Sequence, residues 1–317
     1  MRLIIGVLAD RLLGDPQNWY HPVRTIGDWI RWWEKVLRRL LPADRGGELL
    51  GGGLLCAVTL LFSGGVPALL LLLAHRIHPV CSLVLGSVMC WQLLAAKSLR
   101  DESMKVYDAL REGDVEKARY AVSMIVGRDT ERLTEEGIIR AAVETVAENA
   151  SDGVIAPLCY IALGGPVLGF LYKGINTMDS MVGYHNEKYE YFGRAAARLD
   201  DAANFIPSRF SALLMVGAAF VLRMDWRNGW RIFLRDRRNH KSPNSAQTEA
   251  ACAGILGVRL AGDAWYFGKL VKKPYIGDDS RPVEAEDIVR ANRLMYAAEW
   301  LGLVLALGAG TAIRLIW

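Results

Sequence analysis

Acidic side chains recur at helical spacing in the stretch RAAVETVAENASDG, which runs from Arg140 to Gly153. Glu144 and Glu148 are four residues apart, so on a helix both carboxylates project from one face. Like charges at this spacing repel each other unless a positive group lies between or opposite them. Arg140 could supply that charge, and so could Mg²⁺, which prefers oxygen ligands. A solvated helix face with ordinary salt bridges is the alternative interpretation.

Two more polar clusters lie further along the chain, from Lys173 to Asn186 and from Arg198 to Asn204. Each adjoins an apolar segment, and ionisable groups at such margins are candidates for function because leaving them there unpaired is costly. Helix capping and anchoring at a membrane interface are the alternative. The candidate residues of the three clusters are Glu144, Glu148, Asn149, Asp152, Lys173, Asn176, Asp179, His185, Arg198, Asp200, Asp201 and Asn204.

Several familiar arrangements are absent from the sequence. It contains neither a G-x-x-x-x-G-K-[ST] phosphate loop nor a G-x-S-x-G nucleophile motif. Its five cysteines form no C-x-x-C pair, which argues against a disulfide framework and a zinc ribbon. A net charge of only +4 over 317 residues argues against a dedicated nucleic-acid binder.

The elements that must position these groups are apolar segments of a length suited to a bilayer. Four windows of roughly twenty residues carry almost no charge, and a fifth window is shorter. We therefore predict an all-α, polytopic integral membrane protein with about four to five apolar helices and amphipathic helices on the cytoplasmic side, forming one membrane-embedded domain over residues 1–317. The windows are 49–74, 77–96, 153–172, 206–222 and 294–313.

The polar stretches between these windows also show helical periodicity. Residues 98–126 predict two amphipathic helices with a break at Gly113, and residues 134–150 predict one helix. Residues 239–283 contain several prolines and glycines and are predicted to be rich in loops.

Long sequence blocks resemble one known family. The chain resembles the adenosylcobinamide-phosphate synthase family of cobalamin biosynthesis, of the CobD/CbiB type. One departure is Thr248, where the family usually has proline, and another is a shorter apolar lead before Gly14. The matching blocks are GDPQNWYHPVRTIG at 14–27, VGRDTERLTEEGIIRAAVETVAENASDGVIAPL at 126–158, YKGINTMDSMVGYHNEKYEYFGRAAARLDDAANFIPSRF at 172–210 and SPNSAQTEAACAGILGVRL at 242–260, followed by a YIGD turn at 275–278.

This resemblance implies an ATP-dependent ligase that joins adenosylcobyric acid to (R)-1-aminopropan-2-ol O-phosphate through an amide bond. The carboxylate must be activated, for which we expect an acyl phosphate, and Mg²⁺ with cationic side chains would neutralise phosphate charge. The amine must also lose a proton, for which we expect a carboxylate or His185 to act as the base. The expected catalytic residues are Glu144, Glu148, Asp179, His185 and Asp201; the expected Mg²⁺ ligands are Glu148, Asp152, Asp179 and Asp200; the expected substrate-binding residues are Arg128, Asn149, Lys173, Asn176, Arg198 and Asn204.

The distribution of Lys and Arg constrains how the chain is oriented in the membrane. Residues 1–48, 97–152 and 223–293 carry 8, 9 and 14 such residues, whereas residues 173–209 carry 5. If every window crossed, the positive-inside rule would place 173–209 outside, away from the first acidic stretch. ATP is cytoplasmic, so we predict that the polar clusters line one cytoplasm-facing cavity. We therefore also predict that residues 153–172 do not simply cross the membrane, since they contain a Gly-Gly-Pro break at 164–166.

The sequence is also compatible with three other functions. A membrane Mg²⁺-dependent transferase acting on a lipid phosphate or diphosphate also uses paired aspartates near the bilayer. A transporter would place polar residues along a substrate path but would show internal repeats. A scaffold subunit would tether soluble enzymes. For the ligase, the expected partners are its two substrates, membrane lipid and other late cobalamin-pathway enzymes, without nucleic acid, and the expected location is the cytoplasmic membrane.

Overall fold

The computed structural model describes residues 1–15, 20–184, 186–266 and 268–316, with side chains described as far as residue 309. Helices dominate, and four short strands lie between two of them. The helices are α1 Arg2–Leu13, α2 Pro22–Leu40, α3 Arg45–Ile77, α4 Pro79–Leu93, α5 Ala96–Arg111, α6 Val115–Ser123, α7 Glu135–Asn149, α8 Ala156–Val182, α9 Arg194–Val221, α10 Trp226–Asp236, α11 Ser245–Leu256 and α12 Glu286–Ile316. The strands are β1 Leu260–Ala261, β2 Ala264–Tyr266, β3 Lys269–Val271 and β4 Tyr275–Ile276.

The chain divides into two compact units. The first unit comprises residues 1–95 and 156–204, and the second comprises residues 96–155 and 205–317. In the first unit α1 packs on α4, and α3 packs on both α4 and α8. In the second unit α10 packs on α11, and α7 packs on α5, α11 and α12. All four strands lie in the second unit, where β1 pairs with β4 and β2 pairs with β3, both antiparallel.

Within the described part of the chain, four helical segments are long and apolar enough to cross a bilayer: Arg45–Ile77, Pro79–Arg111, Glu135–Val182 and Arg194–Val221. The first of them exposes many leucines, as expected of a lipid-facing surface. These segments contain the predicted windows 49–74 and 153–172, all but the last residue of 206–222 and most of 77–96. The remaining window, 294–313, lies in α12, whose last side chains fall outside the described part. The prediction of an all-α polytopic membrane protein is confirmed.

The chain reverses direction within α8. Gly164 and Gly165 have non-helical backbone angles, and Gly165 has φ of +66°. The rings of Tyr160 and Tyr172 stack with centroids 4.8 Å apart, whereas twelve residues of straight helix would separate them by about 18 Å. Residues 156–163 and 166–182 are therefore the two arms of a helical hairpin. This break lies at the Gly-Gly-Pro sequence noted at 164–166. That residues 153–172 do not simply cross the membrane stays a prediction.

The polar helices follow their sequence patterns closely. Gly113 separates α5 from α6 with φ of +76°, as the break in periodicity predicted. Helix α7 starts where Thr134 accepts a hydrogen bond from the Gly137 N–H. A π-helical turn, Ala150–Ile155, then connects α7 to α8.

The loop-rich prediction for 239–283 is wrong for residues 245–256, which form α11. This segment is alanine-rich and has no internal glycine or proline before Gly254, so its helix propensity is high. Gly257 ends the helix in the left-handed conformation, with φ of +68°. Pro243 and Gly257, two of the residues counted as loop signals, thus flank a helix.

Candidate active site

A cavity of about 240 Å³ lies in the second unit between α7, α11 and the segments that flank the strands. It combines acidic and basic side chains, and none of them comes from the first unit. Its ionisable wall residues, apart from Tyr266, are Arg128, Glu144, Glu148, His240, Glu249 and Lys273. Asn149 also lines it. The helical spacing correctly placed Glu144, Glu148 and Asn149 together, and Arg128 joins them from the preceding loop.

Helix α7 presents Glu144 and Glu148 to the cavity because they are one turn apart on the same face. The Asn149 side chain donates to the Thr145 carbonyl at 3.0 Å, near the end of the helix. The π-helical turn follows at once, and such turns occur frequently at functional sites. Asp152 lies within this turn and is not among the residues that line the cavity.

Glu144 is held by two donors. The Arg128 guanidinium forms an ion pair with one carboxylate oxygen, and the Ala261 N–H donates to the other at 2.7 Å. Burial disfavours the charged guanidinium, yet the adjacent Glu144 carboxylate raises the pKa of Arg128 above its usual value. The expectation that Arg140 would neutralise the acidic pair is wrong for Glu144, because Arg140 instead pairs with Glu136 at i,i−4. The long reach of Arg128 from the loop explains the difference.

Glu148 accepts a hydrogen bond of 2.9 Å from the Ser245 hydroxyl at the start of α11. His240 lies in the same cavity wall, and its Nδ1 accepts from the Ser242 N–H at 3.0 Å. Burial lowers the pKa of His240, Glu148 opposes that shift and Lys273 adds to it. A neutral His240 with its Nδ1 occupied would carry its proton on Nε2.

Glu249 lies near the middle of α11 and is only 5% exposed. Burial raises its pKa well above the usual value, and the carboxylates of Glu148 and Glu144 raise it further. Lys273 and Arg128 act in the opposite direction. The cavity therefore contains a third carboxylate whose charge is poorly compensated by the protein.

Lys273 supplies a second cation to the cavity. Its Nζ donates to the Tyr266 hydroxyl at 2.6 Å, and its backbone N–H donates to Asp263 at 3.1 Å. The hairpin formed by β2 and β3 thus fixes Lys273 opposite the helices. A larger cavity of about 570 Å³ adjoins Arg128 and includes Arg132 and Trp265, whose guanidinium and ring lie 5.4 Å apart.

The first unit contains the other predicted polar residues. Tyr172 donates to the Asn204 Oδ1 at 2.9 Å, and the Asn204 Nδ2 donates to Asp200 at 3.0 Å. Asn204 is 1% exposed, whereas Arg198 is exposed. The α8 positions are Lys173, Asn176 and Asp179, and the α9 positions are Arg198, Asp200, Asp201 and Asn204. His185 lies outside the described residues.

The acidic clusters therefore belong to different units, with Glu144, Glu148 and Asp152 in the second and Asp179 and the α9 aspartates in the first. A shared cavity remains a prediction. Across the described residues, no three or more His, Cys, Asp or Glu side chains are grouped so as to hold a metal ion. The expected Mg²⁺ ligands likewise remain predictions.

Sequence reasoning missed three charged members of the cavity, His240, Glu249 and Lys273. They lie about a hundred residues or more from Glu144, so no local periodicity connects them. The one available signal for Glu249 was its place in the SPNSAQTEA block, which was quoted for the resemblance alone.

Comparison with known proteins identifies the family. The chain matches the CobD/Cbib protein family over residues 3–295. It belongs to that family. The match includes the whole of α7, α11 and the strands that form the cavity, and it confirms the resemblance found in the sequence blocks.

Curated relatives extend over almost the entire chain. Cobalamin biosynthesis protein CobD of Clostridium perfringens is 46% identical over 308 residues, which is 97% of this chain and 96% of the relative. The CobD protein of Geobacter metallireducens is 49% identical, covering 96% and 94%. Cobalamin biosynthesis protein CbiB of Salmonella typhi is 45% identical, covering 96% and 95%. No solved structure matches the chain.

Proposed function

We propose that this protein catalyses the ATP-dependent ligation of (R)-1-aminopropan-2-ol O-phosphate to the propionate carboxylate of adenosylcobyric acid. Family membership supports a step in cobalamin biosynthesis and a corrinoid-type substrate. The specific reaction, an ATP-dependent amide ligation, goes beyond what family membership supports. The products are adenosylcobinamide phosphate, ADP and phosphate.

The observation that carries this proposal is the mixed-charge cavity of the second unit. It places the cations Arg128 and Lys273 within the same walls as Glu148 and Glu249. A ligase for this reaction must bind phosphate groups and must also accept a positively charged amine. The cavity offers both kinds of contact, whereas a pocket lined by charges of a single sign would offer only one.

The chemistry assigns distinct tasks to the two kinds of side chain. A carboxylate resists attack by an amine, so transfer of the ATP γ-phosphate to it creates an acyl phosphate with a good leaving group. Phosphoryl transfer depends mainly on positioning and on neutralising oxygen charge, which Mg²⁺ with Arg128, Lys173 and Arg198 would supply. The incoming ammonium must lose a proton before it attacks the acyl carbon, and a cavity carboxylate is suited to accept it.

Mg²⁺ fits this donor set without a preformed cage of protein ligands. The ion usually keeps several waters and binds through one or two carboxylates together with substrate phosphates. Glu148 lines the cavity and would hold the ion there. Asp152, four residues later in the π-helical turn, is kept as a second ligand on the resemblance alone. Bound Mg²⁺ would neutralise phosphate oxygen charge.

The polar residues of α8 and α9 keep the roles that the resemblance implied. In this proposal Lys173 and Arg198 contact phosphates, and Asn176 and Asn204 orient substrate. Asp179 and Asp201 are catalytic, and Asp179 and Asp200 are further Mg²⁺ ligands. His185 is retained as an alternative base. Substitution of Asp179 by Asn tests whether this cluster contributes to turnover, with Asp225→Asn at the exposed N-cap of α10 as the control.

We further propose that the protein lies in the cytoplasmic membrane with its site facing the cytoplasm. The hairpin in α8 supports this, since a reversal lets flanking segments return to one membrane face. Reporter tags at the exposed positions Glu112 and Glu190 should then be found on the same side. Tags on opposite faces would refute the shared orientation.

The direct test uses detergent-purified protein with both substrates and Mg²⁺, with and without ATP, and follows the corrinoid by mass. We expect a mass gain equal to one amide condensation only when ATP is present. Absence of that gain with demonstrably folded protein would refute the ligase. The lipid-phosphate transferase would then be assayed without ATP, because a lipid diphosphate carries its own leaving group.

A further inference from the structure

Glu249 differs from the other carboxylates of the cavity in its hydrogen bonding. Glu144 accepts from Arg128 and the Ala261 N–H, and Glu148 accepts from Ser245. Among the described residues no donor is bonded to the Glu249 carboxylate, although it is 95% buried and borders the cavity. A buried, unpaired carboxylate that faces open space lacks only a donor from a ligand.

An uncompensated carboxylate is costly in this position. Removing its charge from water costs several kcal/mol unless a counter-charge or good hydrogen bonds replace the lost hydration. A hydrophobic residue at this point of α11 would avoid that cost. Burial and the nearby carboxylates of Glu148 and Glu144 raise the pKa of Glu249, which reflects the same imbalance, and groups with shifted pKa values concentrate at functional sites.

The acidic and basic side chains of the cavity come from different kinds of structural element. Glu148 and Glu249 project from helices α7 and α11, whereas Lys273 and Arg128 come from the loops around the strands and before α7. Arg128 is already paired with Glu144. The Lys273 ammonium has three donors, and one of them serves Tyr266. Lys273 therefore has capacity left for an anion.

We propose that Glu249 receives the ammonium group of a small amino-alkyl phosphate whose phosphate is held by Lys273. The inference rests on the proposed function, which identifies this ligand as aminopropanol phosphate. It assigns the 240 Å³ cavity to the amine substrate and leaves the larger cavity beside Arg132 for a bulkier one. Glu249 then contacts the nitrogen that becomes the amide nitrogen.

The test compares two ligands that differ at one substituent, a cationic ammonium in one and a neutral hydroxyl in the other. One is 1-aminopropan-2-ol O-phosphate, and the other carries a hydroxyl in place of the amino group. Binding is measured by calorimetry on the full-length protein in EDTA, without ATP or corrinoid, so that neither turnover nor Mg²⁺ contributes. A charge-assisted hydrogen bond corresponds to a preference of about 10- to 100-fold for the amine.

We expect Glu249→Gln to abolish most of that preference while leaving binding of the hydroxyl analogue unchanged. Lys273→Met should weaken both ligands by a similar factor. Glu116→Gln, at an exposed glutamate of α6, serves as the matched control and should bind like the wild type. Glu249→Asp, which keeps the charge, should retain part of the preference and guards against a folding defect in the Gln variant.

Two results would overturn the assignment. One is a wild-type protein that does not distinguish the amine from the hydroxyl analogue. The other is a Glu249→Gln variant that keeps the full preference or loses both ligands equally. Because the assay omits ATP and corrinoid, the binding preference can be measured whether or not the protein catalyses the ligase reaction. The two proposals can therefore fail separately.

Discussion

Replacing Arg128 by Met should destabilise the second unit, because it leaves Glu144 charged and buried without its partner. The two side chains are 15% and 8% exposed, so water screens the pair weakly. Methionine keeps most of the length and apolar contact of arginine, and the change therefore removes charge more than volume. The Ala261 N–H still donates to Glu144 and offsets part of the loss.

The expected size follows from burial. Removing one member of a buried ion pair costs about 3–5 kcal/mol, and the remaining Ala261 donor places this pair near the lower value. Unfolding entropy is about 2.1 cal/mol/K per residue. For 317 residues, a loss of about 3 kcal/mol then lowers the melting temperature by about 4–5 °C if the chain unfolds as one unit.

The assay is a double-mutant cycle read by thermal unfolding in detergent. Arg128→Met alone should show the full loss, and adding Glu144→Gln should recover most of it because no unpaired charge remains. The matched control is Arg140→Met with Glu136→Gln, an i,i+4 pair on the same helix whose glutamate is 56% exposed. That pair should couple by only about 0.3–0.5 kcal/mol.

Strictly additive losses at Arg128 and Glu144 would refute this reasoning. They would mean that the pair does not interact in the folded protein, and the charge balance described for the cavity would be wrong. A coupling at the control pair equal to that at Arg128 would contradict the argument from burial.

Three further predictions concern single positions. Gly165→Ala should cost about 1–3 kcal/mol in thermal stability, because φ of +66° with ψ of −165° suits glycine alone. The control, Gly65→Ala inside α3, should be neutral or stabilising. Equal losses of stability in the two variants would contradict the argument from backbone strain. Tyr172→Phe should lower stability by about 1–3 kcal/mol, because the donor to Asn204 is lost. The control, Tyr120→Phe at an exposed tyrosine, should leave stability unchanged. Equal melting temperatures for the two variants would contradict a stabilising hydrogen bond between Tyr172 and Asn204. Burial raises the folded-state pKa of Glu249 above its unfolded value, so its protonation stabilises the fold at low pH and that contribution is lost as pH rises through the folded pKa. Glu249→Gln should therefore melt above the ligand-free wild type at pH 8, with a gain that shrinks as pH falls toward 4.5, and a constant gain would exclude titration of Glu249 as its cause.

Local rules predicted the parts of the fold that depend on neighbouring residues. The i,i+4 spacing of Glu144 and Glu148 placed both on one cavity wall, and the Gly-Gly-Pro sequence at 164–166 marked the reversal in α8. Each follows from the geometry of a single helix or turn. The apolar windows were likewise visible because membrane-spanning length is a property of one continuous segment.

The rest of the site depends on contacts between distant segments. Arg128 and Arg140 are both plausible partners of Glu144 by sequence, and only the path of the loop before α7 decides between them. Lys273 reaches the cavity through the β2–β3 hairpin, which was hidden in a stretch interpreted as loop. Glu249 faces the cavity because α11 packs on α7, and a single chain segment cannot indicate that packing.

The measurement that tests the proposed ligase most directly uses adenosylcobyric acid labelled with ¹⁸O in its free carboxylate. Activation as an acyl phosphate joins one carboxylate oxygen to the transferred phosphorus, and attack by the amine then releases that oxygen with phosphate. The account predicts ATP-dependent amide formation with one ¹⁸O atom in each phosphate released. Unlabelled phosphate would contradict activation of the carboxylate, and amide formation without ATP would contradict the ligase itself.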